Sequence, residues 1–266
     1  MKKLGIVANL LAVPIYYKLK ESTDTFELVA NSNPENVKLL REDKLDAAFL
    51  SPIEYARHFN IFSVIPNIAI SSEGFSKTIS LFFKEGLKEI KSIATDLKNP
   101  SEMVLAKIVM LEKYDINPQF IQQTGNLNDM LEKADSALII GEPNLSSLKE
   151  FRSKLDLVDE WFDITELPYV HGFWISREEK LTPAEIGLIQ KSASYGASHL
   201  TEIASLFRDY QTDELVEYLA AFNYEFNSRI ESGLSEFLRM AYYHHIIDDL
   251  PEIKFLKENG KTLSLN

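Results

Sequence analysis

The chain of 266 residues contains no cysteine, which excludes disulfides, thiolate metal sites and a cysteine nucleophile. It has no basic tract, and its net charge is −12. A nucleic-acid protein would need a positive footprint instead. The same acidity requires that an anionic ligand be held by a local positive field inside a cleft. No run approaches the ~20 apolar residues of a membrane span. No internal repeat, low-complexity tract or Gly/Ser linker interrupts the chain. Metal-spaced histidines are also missing. His244-His245 precede Asp248-Asp249, but adjacent helical residues point about 100° apart and cannot easily share one ion. Ser51 has no histidine partner in its sequence context, so a nucleophile triad is unsupported.

A full core is present. Hydrophobic residues make up 45% of the chain, which excludes global disorder. The length suits one large domain or two modest ones. The N-terminus imitates a secretory signal, with Lys2-Lys3 before an apolar run over residues 4–15. The bulky Pro14-Ile15-Tyr16-Tyr17 offers no small-x-small cleavage site. We read residues 4–8 as a first buried strand, and the protein as cytoplasmic.

Residues 46–83 are the most informative stretch. Ala47-Ala48-Phe49-Leu50 forms a short buried run that Ser51-Pro52 ends, and residues 53–57 read as a helix. Serine is a good N-cap, and proline suits the first helical turn. A second apolar run over 65–70 leads into Ser71-Ser72-Glu73-Gly74. Helix N-termini present unpaired N–H groups and a positive dipole end. Two such turns facing one cleft would suit a small molecule carrying carboxylates. The plainer alternative is that Ser51 and Ser72 only cap and turn the chain.

Strand and helix patterns alternate up to residue 83, which predicts a mainly parallel sheet. Residues 92–140 repeat that alternation as a second unit, and the chain returns through helices over 182–206, 212–219 and 234–248. The expected architecture is α/β: two lobes joined by two crossover strands, near 81–84 and 173–177. Lobe one takes residues 1–82 plus 177–266, and lobe two 85–172. The cleft then lies between the lobes at the C-terminal strand ends.

Several segments, in order along nearly the whole chain, resemble the chorismate dehydratases of the futalosine route to menaquinone. LSPIEYAR resembles their "SSxEYAR", and IPNIAISSEGFSKTISLFF their "LPxxxISxxGxVxSVxLFS". ADSALIIGE, ending at Gly141-Glu142, resembles "ADAxLLIGD". DEWFDITELPYV followed by Phe173-Trp174 resembles "EEWxxxTGLPFVxAxW". The resemblance implies a two-lobed periplasmic-binding-protein-like (type II) fold used as an enzyme. It implies a lyase that removes water from chorismate to give 3-[(1-carboxyvinyl)oxy]benzoate, with no metal or organic cofactor. The implied partner is a small anionic carboxylate, with no nucleic acid and no membrane.

Departures from the family fall at the polar contacts. The family's first turn reads "YLNTLP", and aligning on Pro14 puts Leu11 where its asparagine stands. Asn9 lies two positions earlier, on the same side of an extended chain. It either takes over the catalytic task or is an ordinary turn residue. The family's "TxxSxTS" turn reads Thr95-Asp96-Leu97-Lys98-Asn99-Pro100-Ser101. Thr78 replaces a serine, and Glu142 an aspartate.

The resemblance thus assigns substrate binding to Asn9, Leu11, Ser51, Ser71 and Ser72, together with Thr78, Thr95, Ser101 and Gly141. Lys77 and Lys98 either pair with a carboxylate or are simply solvated. His171 is either an acid-base group or a core histidine with a satisfied hydrogen bond. Trp161 and Trp174 read as core. Two functions stand: a chorismate dehydratase, or a non-catalytic carboxylate-binding protein on the same scaffold.

Overall fold

Three strands open the first sheet in parallel: β1 (Lys2–Ile6), β2 (Phe26–Ala30) and β3 (Ala47–Leu50). Between them lie the short α1 (Val13–Tyr16) and α2 (Asn33–Arg41), and α3 (Pro52–Ala56) follows. The computed structural model describes residues 1–84, 86, 89–98, 100–145, 148, 151–258 and 261–262. The long β4 (Ser63–Ser72) then leads out of this sheet.

The second sheet contains β5 (Ile79–Phe83), β6 (Ser92–Thr95), β7 (Gln119–Gln122), β8 (Ser136–Ile140) and β9 (Lys154–Asp156), in the order β7-β6-β8-β5-β9. It carries α4 (Pro100–Tyr114) and α5 (Leu127–Lys133). The chain returns through α6 (Leu157–Thr165) and β10 (Tyr169–Ser176). It continues through α7 (Pro183–Ser198), α8 (Leu200–Ala204), α9 (Thr212–Ala220), the short β11 (Phe222–Asn223) and α10 (Ser228–Tyr243).

The first sheet has the order β11-β4-β10-β3-β1-β2. Because β10 runs antiparallel to both β3 and β4, the sheet is mixed, not mainly parallel as the alternation suggested. The crossings also differ from expectation. β5 pairs with β8 and β9, so residues 79–83 belong to the second sheet. Residues 169–176 belong entirely to the first. The chain therefore passes between sheets over 73–78 and again over 157–168. Ile79, Leu81 and Phe82 are fully covered between their neighbours, and such an apolar run fits the middle of either sheet.

Local chemistry supports the helix starts. Ser32 accepts from the Glu35 N–H and Asn126 from the Asp129 N–H, while Thr182 and Glu185 form a reciprocal capping box. Gly196 lets α7 lie directly on α1, since a Cβ there would collide with the Pro14 carbonyl. The Ser71-Ser72 turn behaves differently. Both serines stay in β4, paired with Val170 and Tyr169 on one side and with β11 on the other. Those partners occupy the strand's backbone groups, and no helix starts there.

Asp156 ties the two crossings together. Its carboxylate accepts from the Lys77 N–H at 2.6 Å, from the Ser76 hydroxyl at 3.3 Å and from the Val158 N–H, the start of α6, at 3.0 Å. Burial outweighs these donors and raises the carboxyl above its usual value. Away from the cleft, one apolar cluster runs through both lobes. It joins Ile53 and Tyr55 of α3, Leu105 and Ile108 of α4, Trp161 of α6 and Phe237 of α10. Trp174 is also fully buried, in the other large cluster. Among the described residues no helix is long and apolar enough to cross a membrane.

Replacing Asp156 by alanine removes a helix cap and strands the Lys77 N–H. The expected loss is about 2 kcal/mol or more of unfolding free energy. A urea denaturation midpoint indistinguishable from wild type would contradict the role given to this carboxylate.

Candidate active site between the lobes

Strand ends from both sheets enclose a cavity of about 220 Å3. That is below the ~300–1,000 Å3 of drug-sized ligand sites and suits one small metabolite. Lobe one contributes the turn after β1 (Asn9, Leu10, Leu11), Asn33 at the start of α2, Phe49 of β3, His171 of β10 and Tyr218 of α9. The second unit contributes Thr78 and Ile79 at the start of β5, Glu102 in the first turn of α4, and Ile140, Gly141 and Glu142 after β8. Gly141 has φ +77° and ψ −141°, a backbone state that favours glycine. This turn lets Glu142 Oε1 accept the Leu10 N–H at 2.9 Å, a bond that spans the cleft.

Four of the residues assigned from sequence meet in this cavity: Asn9, Leu11, Thr78 and Gly141. Asn9 caps the turn that follows it, its Oδ1 accepting the Ala12 N–H at 3.0 Å. Leu11 is buried against the cavity. Thr78 Oγ1 accepts the Tyr218 hydroxyl at 3.0 Å. The other five do not line the cavity. Ser101 Oγ accepts the Ile53 N–H at 3.0 Å, so a side chain of lobe two caps α3 of lobe one. Ser51 lies beside that junction, its N–H donating to Asn33 Oδ1 at 3.3 Å while its own Oγ has no partner. The two helix starts meet at this junction, where Asn33 and Ser101 take the Ser51 and Ile53 N–H groups. Ser71 and Thr95 are buried with unpartnered hydroxyls outside the cavity. Ser72 Oγ shares a 2.7 Å hydrogen bond with His171 Nε2.

Lys77 pairs with Glu217 at 3.1 Å and Lys98 is exposed, so neither reaches the cavity. Among the described residues no lysine or arginine lines it, and none of their acidic and histidine side chains form a group able to hold a metal ion. His244 instead bonds Glu112 at 2.6 Å. His171 combines its two readings. It is a buried histidine with a satisfied hydrogen bond, and it also faces the cavity. Desolvation pushes it down to about 3, so it stays neutral at physiological pH.

Glu102, Asn33 and Tyr218 were not singled out from sequence. Glu102 follows the hydroxyl-bearing turn directly. An acid in a first helical turn usually reads as a favourable partner of the helix dipole. Here desolvation pushes its carboxyl from the ordinary 4.5 up to about 7. Its charge, secondary to burial, also helps to keep the unpartnered Tyr169 hydroxyl protonated. A broader groove of about 880 Å3 lies between α2 and α3 on one side and α4 on the other. Lys38, Arg41, Arg57 and Lys107 rim it, over Val37, Met103 and Phe120.

Two α/β lobes joined by two crossings, with a ligand-sized cavity between them, define the periplasmic-binding-protein-like class. Solved structures agree. A protein from Archaeoglobus fulgidus superposes with a TM-score of 0.74 at 16% identity, covering 92% of this chain and 98% of that one. The periplasmic aliphatic sulphonate binding protein of Escherichia coli gives a TM-score of 0.67 at 11% identity, covering 100% of this chain and 96% of that one. A family model described as menaquinone biosynthesis matches residues 2–243, and the chain belongs to that family. A curated relative, the chorismate dehydratase of Thermus thermophilus, is 22% identical over 219 residues, 76% of this chain and 79% of the relative.

Glu102 has a consequence for stability. Its folded value of about 7 lies above the ordinary 4.5. The folded chain therefore holds an extra proton between these values, and stability falls as pH rises through that window. His171, held down to about 3 from 6.5, works in the opposite sense, losing its stabilisation as pH falls. Comparing wild type with Glu102→Gln isolates the first effect. The variant should match wild type near pH ~4 and exceed it near pH ~8 in unfolding free energy. An offset that does not change with pH would contradict a desolvated carboxyl.

Proposed function

We propose that this chain is a dehydratase acting on chorismate, supplying the early aromatic intermediate of menaquinone synthesis by the futalosine route in the cytoplasm. The observation that carries this reading is the cavity itself. In a chain of the menaquinone biosynthesis family, it gathers Asn9, Leu11, Thr78 and Gly141 from both lobes into a volume suited to one small ring acid. The Thermus thermophilus relative supports the reaction class.

In this reaction the ring C–H beside the enol ether is removed and the neighbouring hydroxyl leaves as water. Aromatisation of the ring supplies much of the driving force. The protein's share is to orient the ring, exclude water and stabilise developing charge. With no lysine or arginine among the described residues lining the cavity, a carboxylate is met by neutral donors. The Asn9 amide, which lines the cavity, is such a donor.

A second reading, a non-catalytic carboxylate-binding protein, is favoured by one observation. Leu11 is buried against the cavity where the family carries asparagine, and a leucine neither moves a proton nor hydrogen-bonds a departing hydroxyl.

Product formation from chorismate, followed by chromatography, separates the readings. Losing one positioned polar contact costs roughly 10²–10³ in rate. Leu11→Asn should therefore raise turnover over slow wild-type activity while affinity changes little, and Asn9→Ala should abolish what remains. Robust wild-type turnover insensitive to Asn9→Ala would remove Asn9 from catalysis. A carboxylate bound without any product, in wild type and Leu11→Asn alike, would establish the binding protein instead.

A further inference from the structure

Glu102 is a cavity carboxyl that the proposed reaction has not used. It sits in the first turn of α4, lines the cavity, and stands opposite Asn9 and Leu11 across the cleft. Among the described residues, no salt bridge or side-chain hydrogen bond to another residue engages it. The other ionisable groups facing the cavity are Glu142 after β8, His171 on β10 and Tyr218 on α9, with Tyr169 of β10 close behind. Glu142 is committed to the Leu10 N–H. His171 is bonded to Ser72 and held neutral by burial. Tyr218 is bonded to Thr78. That leaves Glu102 as the group best placed, among the described residues facing the cavity, to take and give a proton.

The geometry points to Glu102 as the proton shuttle of the dehydration, a catalytic residue peculiar to a chain that carries Leu11. This assignment rests on the dehydratase reading. In the step, the Glu102 carboxylate takes the proton from the ring carbon beside the enol ether. The C–H electron pair becomes the new ring double bond, and the C–O bond to the neighbouring hydroxyl breaks. The carboxylic acid then gives that proton to the departing oxygen, which leaves as water. Glu102 returns to its carboxylate form, so atoms and charge balance with no oxidant, reductant or co-reactant. One carboxyl serves both halves because hydrogen and hydroxyl leave from adjacent carbons on one face of the ring.

The surroundings suit the task. A proton-transfer group works best when its pKa lies near the operating pH, and desolvation has moved this one up to about 7.

The test is the kinetics of chorismate turnover by wild type, Glu102→Gln and Glu102→Asp, with kcat and KM determined across the pH range. Acid-base groups of this kind contribute ~10²–10⁴ in rate. Glu102→Gln should lower kcat by at least ~10² with KM within about threefold, and should lose the pH limb near 7 that wild type shows. Glu102→Asp should recover part of the rate and keep a limb. A purely structural role would move neither the limb nor the kcat-to-KM split, and thermal melts confirm that each variant is folded. Glu102→Gln within threefold of wild-type kcat would overturn the assignment alone, leaving the dehydratase reading intact. Wild type inert toward chorismate would overturn the dehydratase reading, and the assignment with it.

Discussion

The Asp156 carboxylate receives Lys77 and Ser76 from the first chain crossing and the start of α6 from the second. Much of the site follows from that junction. It fixes where Thr78 and Ile79 begin β5, and therefore where β5 meets β8 and the Gly141 turn. On the opposite side of the cleft, Ser101 of α4 caps α3 across the lobes, and the apolar contact of α3, α4, α6 and α10 holds that edge shut. With both edges fixed, the cavity is small. Desolvation then acts in two directions, holding His171 neutral and lifting Glu102 toward neutrality.

An acidic chain binding an acidic ligand needs a local solution to repulsion. This cavity contains no lysine or arginine among its described residues, so donors must be neutral dipoles and N–H groups. Such donors, fixed before the substrate arrives, cost no reorganisation at the moment of reaction. The cations Lys38, Arg41, Arg57 and Lys107 gather instead, with Glu42 and Glu54, around the broader groove between α2, α3 and α4. There they lie in high dielectric, where Arg57 already pairs with Glu54 and Lys38 with Glu35.

The alternation of strands and helices was legible because apolar periods and caps such as Ser32-Pro34 and Thr182-Pro183 mark elements locally. The family and the two-lobed fold were legible because ordered segments along the chain carried the resemblance. The crossings were not. Ile79-Ser80-Leu81-Phe82-Phe83 reads as a buried strand in either sheet, and only its pairing with β8 and β9 decides. Ser71 and Ser72 read as a turn by residue type, yet two neighbouring strands hold them in β4. Within the site, Asn9, Leu11, Thr78 and Gly141 were found at strand ends. Ser51 and Ser101 lie at the lobe junction instead of in the cavity assigned to them. Glu102 was invisible because its meaning comes from burial, which no local pattern encodes.

The account's central claim is that the small interlobe cavity, not the larger basic groove, receives the ligand. Amide hydrogen exchange with and without chorismate tests it most directly. The account predicts added protection at residues 9–12, 78–79, 101–103 and 140–142, on both sides of the cleft. Protection confined to the groove side of α2 and α3, around Lys38, Arg41 and Arg57, would contradict it.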